Sequence, residues 1–274
     1  MTSLYRYASV KILNWWRLNL STMIRIGLLG CGNIGQIIAK HRGGFEITAL
    51  YDKIFQRAVT LADLCGCAAY EDFDTFVHQD FDLLVEAASV QAVKLYAGAV
   101  LEAGKDLVIM SVGALSEVEF REGLVRKAEA RGRRIHVPSG AIFGLDNLKV
   151  GQISKINKLI LRTTKSPSSL GIAATERIQI FSGKANECIK AFPKNVNVSV
   201  ALGLAARRDA DVELWVDPEV DRNVHEIFAE GDFGDAYIRV RNVQSPDNPA
   251  TSYLAALSIL TLLENLGGSL VIGT

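Results

Sequence analysis

The chain has 274 residues, enough to bury a substantial core in one large or two ordinary domains. Hydrophobic residues make up 49% and charged residues 22%, ordinary globular usage. Its 30 Lys and Arg balance 30 Asp and Glu, leaving no broad basic field to hold nucleic acid or an anionic membrane, so neither is expected as a partner.

Residues 1–22 stand apart: they hold Arg6, Lys11 and Arg17 with no acidic residue, plus Trp15 and Trp16. Their apolar stretches are too short and broken for a transmembrane helix or a secretory h-region. A transit peptide shares this composition. The first strand begins directly after Met23, which favours Met23 as the true start, and 1–22 is left out of the fold as an N-terminal extension. From there, short apolar runs ending in small or turn residues predict strands at 24–29, 45–51, 81–88, 106–110 and 134–137. Helical spacing predicts helices at 34–41, 55–64, 90–103 and 117–131. Alternation of this kind implies right-handed βαβ units in a parallel sheet.

After Pro138 the pattern changes. Strands are predicted at 158–164, 173–181, 212–216 and 237–243, with helices at 187–191 and 198–206, an α+β mixture whose sheet is open to a ligand or another subunit. Residues 253–266 form an apolar helix closed by Gly267 and Gly268, expected to return to the first domain. The expected organisation is α/β: a Rossmann-type parallel-sheet domain over 23–140, completed by 250–274, and a second α+β domain with a mixed sheet over 141–249. The four cysteines, Cys31, Cys65, Cys67 and Cys188, have neither disulfide-framework nor zinc spacing. They read as free thiols of a reducing cytoplasm, with no metal site.

Gly30-Cys31-Gly32-Asn33-Ile34-Gly35 follows a strand and opens a helix, and Asp52 ends the second strand about twenty residues on. Gly30 suits the tight turn, Gly32 the close approach of a pyrophosphate, and Gly35 helix–sheet packing, while the helix N-terminus offers N–H groups to the anion. Asp52 can accept from the ribose hydroxyls and would repel a 2′-phosphate. NAD is therefore the expected cofactor; NADP stays open because Lys53 and Arg57 lie nearby. The third glycine disfavours S-adenosylmethionine. Ala88 and Ser89, after the 81–88 strand, and Ser111 and Gly113, after the 106–110 strand, sit where ligands bind such sheets and are candidate cofactor contacts; turn residues of no further role are the alternative.

Histidine is the side chain best suited to acid–base work near neutral pH. His41, His78 and His136 lie in helix-end, surface or strand contexts and read as structural. His225 follows a strand and a turn marked by Pro218, in polar company, Asp221-Arg222-Asn223-Val224-His225. Spacing leaves catalytic and structural roles equally open for it.

Taken in order, Gly30 to Gly35, Pro138-Ser139-Gly140-Ala141-Ile142, Gly144-Leu145-Asp146, Ser169-Leu170-Gly171, Phe192-Pro193-Lys194-Asn195-Val196-Asn197-Val198, the His225 block, and Ser245-Pro246-Asp247-Asn248-Pro249-Ala250-Thr251-Ser252 resemble the L-aspartate dehydrogenases over essentially all of 23–272. The resemblance implies NAD(P)-dependent, reversible oxidation of L-aspartate to oxaloacetate and ammonia through iminoaspartate, feeding pyridine nucleotide biosynthesis in a cytoplasmic homodimer. It makes His225 the acid/base and places Ala141, Asn195, Ser139 and Asn197 at the cofactor and substrate site. Lys165 and the backbone N–H groups around Ser139 and Gly140 are candidates for the substrate carboxylates, with a solvated loop charge as the other reading of Lys165. Asp221 is a candidate to orient His225 or to cap the following turn. Phe143 stands where the family usually has glycine, so either its backbone angles tolerate a side chain or the loop has moved. Entry of Phe143 into the pocket would narrow it. Two other readings stay open: a reductase of the same architecture, resembling dihydrodipicolinate reductase but lacking its paired histidines and lysine, and a nicotinamide-sensing protein without turnover.

Overall fold

The computed structural model describes residues 23–41, 43–192, 196–245, 248–270 and 272. The 1–22 extension and Asn195 lie outside the described residues. The first part of the chain runs β1 (Ile24–Leu29), α1 (Asn33–Lys40), β2 (Phe45–Tyr51), α2 (Phe55–Cys65), β3 (Ala68–Tyr70), α3 (Phe73–Val77), β4 (Leu83–Glu86), α4 (Val90–Glu102), β5 (Asp106–Ile109), a 3₁₀ turn (Val112–Ser116), α5 (Val118–Arg131) and β6 (Ile135–His136). Its strands form one parallel sheet in the order β3-β2-β1-β4-β5-β6.

Burial on both faces explains the nearly continuous apolar runs. Successive residues point to opposite sides: Leu29, Leu84 and Leu107 enter one core with Phe76, Phe81 and Leu101, and Leu28, Val85 and Val108 enter the other with Ile38 and Leu61. The strand order reverses between β1 and β4, opening a crevice at their C-terminal ends, where α/β sheets bind ligands. Sequence periodicity did not reveal β3 or α3, which are 3 and 5 residues long and too short to establish a period.

The second part runs α6 (Leu145–Leu148), β7 (Ile156–Lys165), α7 (Pro167–Leu170), β8 (Ile178–Lys184), α8 (Ala185–Ala191), α9 (Val196–Ala206), β9 (Asp211–Val216), β10 (Val224–Gly231), β11 (Gly234–Arg241), and a ribbon of β12 (Gln244–Ser245) and β13 (Asn248–Ser252). Strands β7 to β11 form a mixed sheet in the order β11-β10-β7-β9-β8, in which only β7 and β9 run parallel. On its inner face Leu159, Leu161, Val212, Ile227 and Ala229 pack with Leu148 and Leu202 of the helices. The strand expected over 173–181 is observed as β8, 178–184, and carries a register shift between Gln179 and Phe181. Strand β11 covers 234–241 in place of 237–243, because it pairs with the unforeseen β10 through a hairpin whose Gly234 takes φ +116°.

The final helix, α10 (Tyr253–Leu266), buries Ile259, Leu260 and Leu263 in the core formed by Ile26, Ile38 and Leu83. Three such side chains contribute about 5–9 kcal/mol in transfer terms, enough to hold the end of the chain on the first sheet. No helix among the described residues is long and apolar enough to cross a membrane.

Candidate active site

The glycine loop meets two steric demands and leaves a third position open. Gly30 has φ +103°, and a Cβ there would lie 2.7 Å from the Ala87 carbonyl oxygen. Gly35 lies so close to the turn that a Cβ would be driven into the Gly30 carbonyl oxygen, whereas a Cβ on Gly32 would meet nothing within 4 Å. The loop is thus tight behind and open toward the crevice. Helix α1 starts at Asn33 with Gly32 as its N-cap, and the first N–H groups of a helix have no intrahelical acceptor. Ile34 is half buried in that first turn. The Asn33 side chain exchanges hydrogen bonds with Ser245, Nδ2 donating at 3.0 Å, so it ties the β12 ribbon to the loop.

Asp52 follows β2 and is 8% exposed. Its Oδ2 accepts from the Cys31 N–H and its Oδ1 from the Ile54 N–H, both at 2.8 Å. Each oxygen retains acceptor capacity beside a cavity of about 240 Å³ lined by Gly30, Gly32, Asp52, Arg57, Ala88 and Ser89. Lys53 also borders it, and Arg57 additionally borders a wider hollow of about 830 Å³ on the α1–α2 side of the loop. A carboxylate, open glycines and flanking cations around one cavity fit an adenosine ribose with its pyrophosphate. The Cys31 thiol within the loop is pushed up to about 12, by burial and then by Asp52, and is not a nucleophile there.

The floor of the crevice depends on a residue that sequence reading missed. Glu86 ends β4 at 1% exposure. Its Oε1 accepts from the Ala88 N–H and the Ser111 hydroxyl, each at 2.8 Å, and its Oε2 from the N–H groups of Ser111 at 2.9 Å and Met110 at 3.1 Å. Burial pushes this carboxyl above its ordinary value against the pull of the donors from Ser111 and Ala88. Ala88 and Ser111 are therefore held by Glu86, while Ser89 caps α4 by accepting from the Ala92 N–H. An acid ending an otherwise apolar strand was the available signal. Nearby, Asn197 on α9 accepts from the Gly113 N–H at 2.9 Å, joining the second domain to the crevice.

His225 lies at the start of β10, 6% exposed, directly opposite Thr163 of β7 in the antiparallel register. Its Nδ1 is 2.9 Å from Thr163 Oγ1. Lys165, two residues along β7, shares that face by strand alternation. Burial, and then the charge of Lys165, push the His225 imidazole down to about 3, so the ring is neutral across the physiological range. Burial also lowers the Lys165 amine below its ordinary value. Lys165 is thus a half-buried group beside His225 and not a solvated loop charge. Asp221 does not orient His225: it is exposed and paired with Arg222 and Arg241. The turn before it is capped by Asp217, whose Oδ1 accepts from the Glu219 N–H.

The 138–141 loop is fastened from both sides. The Gly140 N–H donates to Ser258 Oγ on α10 at 3.0 Å, so this donor, expected to face the substrate, is committed to the helix. The Ala141 carbonyl accepts from Asn242 Nδ2 at 3.1 Å, and Asn242 is itself 3% exposed and accepts from the Ser252 hydroxyl. Ser139 is half buried within the loop. Phe143 is 57% exposed. Among non-glycine described residues only Arg207 has positive φ, so the Phe143 backbone accommodates a side chain, and the left-handed position falls on Gly144, at φ +85°. His41 pairs with Glu264, His78 Nδ1 contacts the Asp74 carbonyl, and His136 lies on β6 of the first sheet.

Comparison with known proteins adds independent findings. Residues 146–266 match the family model described as the C-terminal domain of aspartate dehydrogenase, and residues 30–138 match the NAD-binding domain of homoserine dehydrogenase. The chain is 62% identical to the L-aspartate dehydrogenase of Methanospirillum hungatei over 92% of this chain and 100% of that one. It is 44% identical to the L-aspartate dehydrogenase of Methanothermobacter thermautotrophicus over 92% and 99%, respectively. The crystal structure of aspartate dehydrogenase from Thermotoga maritima superposes with a TM-score of 0.78 at 29% identity, covering 92% of this chain and 100% of that one.

Proposed function

The chain belongs to the L-aspartate dehydrogenase family, and from that membership we propose that it reversibly oxidises L-aspartate to oxaloacetate and ammonia, through iminoaspartate, with NAD or NADP. The observation that carries this reading is a buried His225 opposite Thr163 on the inner face of the mixed sheet, with Lys165 two residues along the same strand as Thr163. A neutral imidazole can take a proton and return it, and the ammonium of Lys165 matches a carboxylate of a dicarboxylic substrate.

When bound, the nicotinamide supplies the hydride acceptor for the substrate Cα, a chemistry no side chain here provides. Gly30, Gly32, Gly35 and the α1 N-terminus would hold its pyrophosphate, with Asp52 accepting from the adenosine ribose. Ala88, Ser89, Ser111, Gly113 and Ala141 would border the remainder of the cofactor, and Asn195 is carried over from the family motif. The chain's own acid–base work falls to His225. It takes a proton from the water that adds to iminoaspartate, delivers that proton to the amine, and takes the carbinolamine hydroxyl proton as the C–N bond breaks and the carbonyl forms. Lys165 holds a substrate carboxylate, and Ser139 and Asn197 are the further substrate contacts in this reading. Burial is the larger cause that holds the imidazole down; a carboxylate seated on Lys165 cancels the smaller one, the lysine charge, and so raises the basicity of His225 in the loaded site.

Residues 23–140 with 250–274 form the dinucleotide-binding unit in this reading, and 141–249 form the catalytic unit. The outer face of the mixed sheet pairs two copies. Phe228 and Tyr237 lie tilted against each other there at 4.9 Å between centroids, with Trp215, and the face carries the ion pairs Arg162–Glu213 and Arg239–Glu226. Aromatic and arginine side chains of this kind are enriched in interfaces. The enzyme is assigned to the cytoplasm.

Following NADH absorbance with purified protein, oxaloacetate and ammonium tests the function. NADH should be consumed only when both co-substrates are present. Turnover with oxaloacetate alone would indicate a simple oxo-acid reductase, and binding without turnover a sensor.

A further inference from the structure

We propose that Thr163 is the positioning residue of His225: its hydroxyl oxygen accepts from Nδ1–H and thereby holds the ring with the Nε2 lone pair free for the proton the reaction moves. The inference rests on the reading of His225 as the acid/base. It begins from register, since β10 and β7 place these residues directly opposite, with Oγ1 and Nδ1 2.9 Å apart. The two side chains therefore share a face, and neither requires a loop to bring it there.

The direction of that hydrogen bond follows from what the ring must do. A neutral imidazole carries one N–H. Were it on Nε2, the only basic nitrogen would be Nδ1, already covered by the threonine, and no proton could be accepted. With the hydrogen on Nδ1, Nε2 is basic and protonation leaves the Thr163 contact unchanged, because the imidazolium also donates from Nδ1. One geometry then serves both halves of a reversible proton transfer.

A neutral partner also differs in consequence from the carboxylate that orients many catalytic histidines. A carboxylate stabilises the imidazolium and would favour a proton on Nε2 before substrate arrived. The Thr163 hydroxyl orients without adding charge. The surroundings agree: β7 contributes Thr163 and Lys165, β11 places Val240 opposite His225, and Lys165 is the charged group that acts on the ring. On the outer face of β10, Glu226 is engaged by Arg239 and Tyr237. Asp221 is held by Arg222 and Arg241.

Thr163→Val keeps the shape and removes the acceptor, and Thr163→Ser keeps the hydroxyl. The chain has 4 histidines, so ¹⁵N-histidine NMR can identify His225 as the ring signal missing from His225→Ala. Wild-type protein should show Nδ1 protonated and Nε2 bare, and Thr163→Val should lose that fixed tautomer. Its kcat should fall by about 10–100-fold, the effect seen when a metal-bound histidine loses the group that orients its ring, with KM for aspartate and NADH affinity little changed. Thr163→Ser should recover most of the rate. The proposal is overturned by Thr163→Val turning over at the wild-type rate, or by a wild-type ring protonated on Nε2. Equal losses in Val and Ser variants, accompanied by weaker NADH binding or a lower melting temperature, would also overturn it, since they would mark a structural residue. An active His225→Ala would remove the underlying acid–base reading itself, which is a distinguishable failure.

Discussion

Substituting Gln for His225 removes a buried titrating ring, and the resulting change in acid stability can be worked out from the site. Burial, reinforced by the charge of Lys165, holds the imidazole at about 3 against an ordinary 6.5. The folded chain therefore excludes a proton that the unfolded chain takes up. A group depressed in this way contributes stability above its unfolded pKa, and that stability is lost as pH falls through the window from 6.5 to about 3. Linkage across the whole window amounts to about 5 kcal/mol, of which about 2 kcal/mol is lost between pH 7 and pH 5. Urea unfolding of both proteins at these two pH values isolates the effect, because the other titrating groups cancel in the comparison. Wild-type protein should lose about 2 kcal/mol more than His225→Gln on acidification. Equal losses would refute the reasoning, because they would mean that the ring charges as readily in the folded chain as in the unfolded one.

Glu86→Gln places an amide N–H₂ among backbone donors. It should cost about 1–3 kcal/mol for each donor left without an acceptor and weaken NADH binding, measured by melting and fluorescence titration; an unchanged affinity would separate Glu86 from the cofactor floor. Gly35→Ala should destabilise the fold by about 1–3 kcal/mol through overpacking against the Gly30 carbonyl and weaken NADH in the same titration, whereas a neutral effect would contradict the close approach. Asp52→Ala frees the Cys31 and Ile54 N–H groups and removes the ribose acceptor. NAD affinity should fall by about 10–100-fold, the equivalent of one hydrogen bond to a charged group, with a smaller loss for NADP. Parallel titration with both cofactors checks it, and equal losses would remove Asp52 from the discrimination.

The first sheet was legible because its determinants are local. The buried strands are apolar runs, and the turn at Gly30 needs a positive φ that its own residue type supplies. Strand β10 was not legible because its alternation is broken at two positions: His225 points inward beside Ile227 and Ala229, while Phe228 stands on the open face. Hydrophobic pattern reads an inward histidine and an outward phenylalanine as no strand at all. The partners of the site were hidden for a different reason. Thr163 lies 62 residues from His225, and Asn242 lies 101 from Ala141. Glu86 reads as the end of an apolar run until β5 brings the Ser111 donors beside it, 25 residues on. Asp221 was the opposite case, close to His225 in sequence and drawn away by two arginines.

The central claim is that His225 performs the acid–base chemistry of aspartate oxidation in a site that binds the dinucleotide independently of it. Steady-state turnover of His225→Ala, measured with L-aspartate and NAD alongside a direct NADH-binding titration, tests this most directly. Turnover should fall by roughly 10²–10⁴-fold, the range for a lost acid/base, while NADH binding stays at the wild-type level. Near-normal aspartate oxidation by the variant would contradict the account.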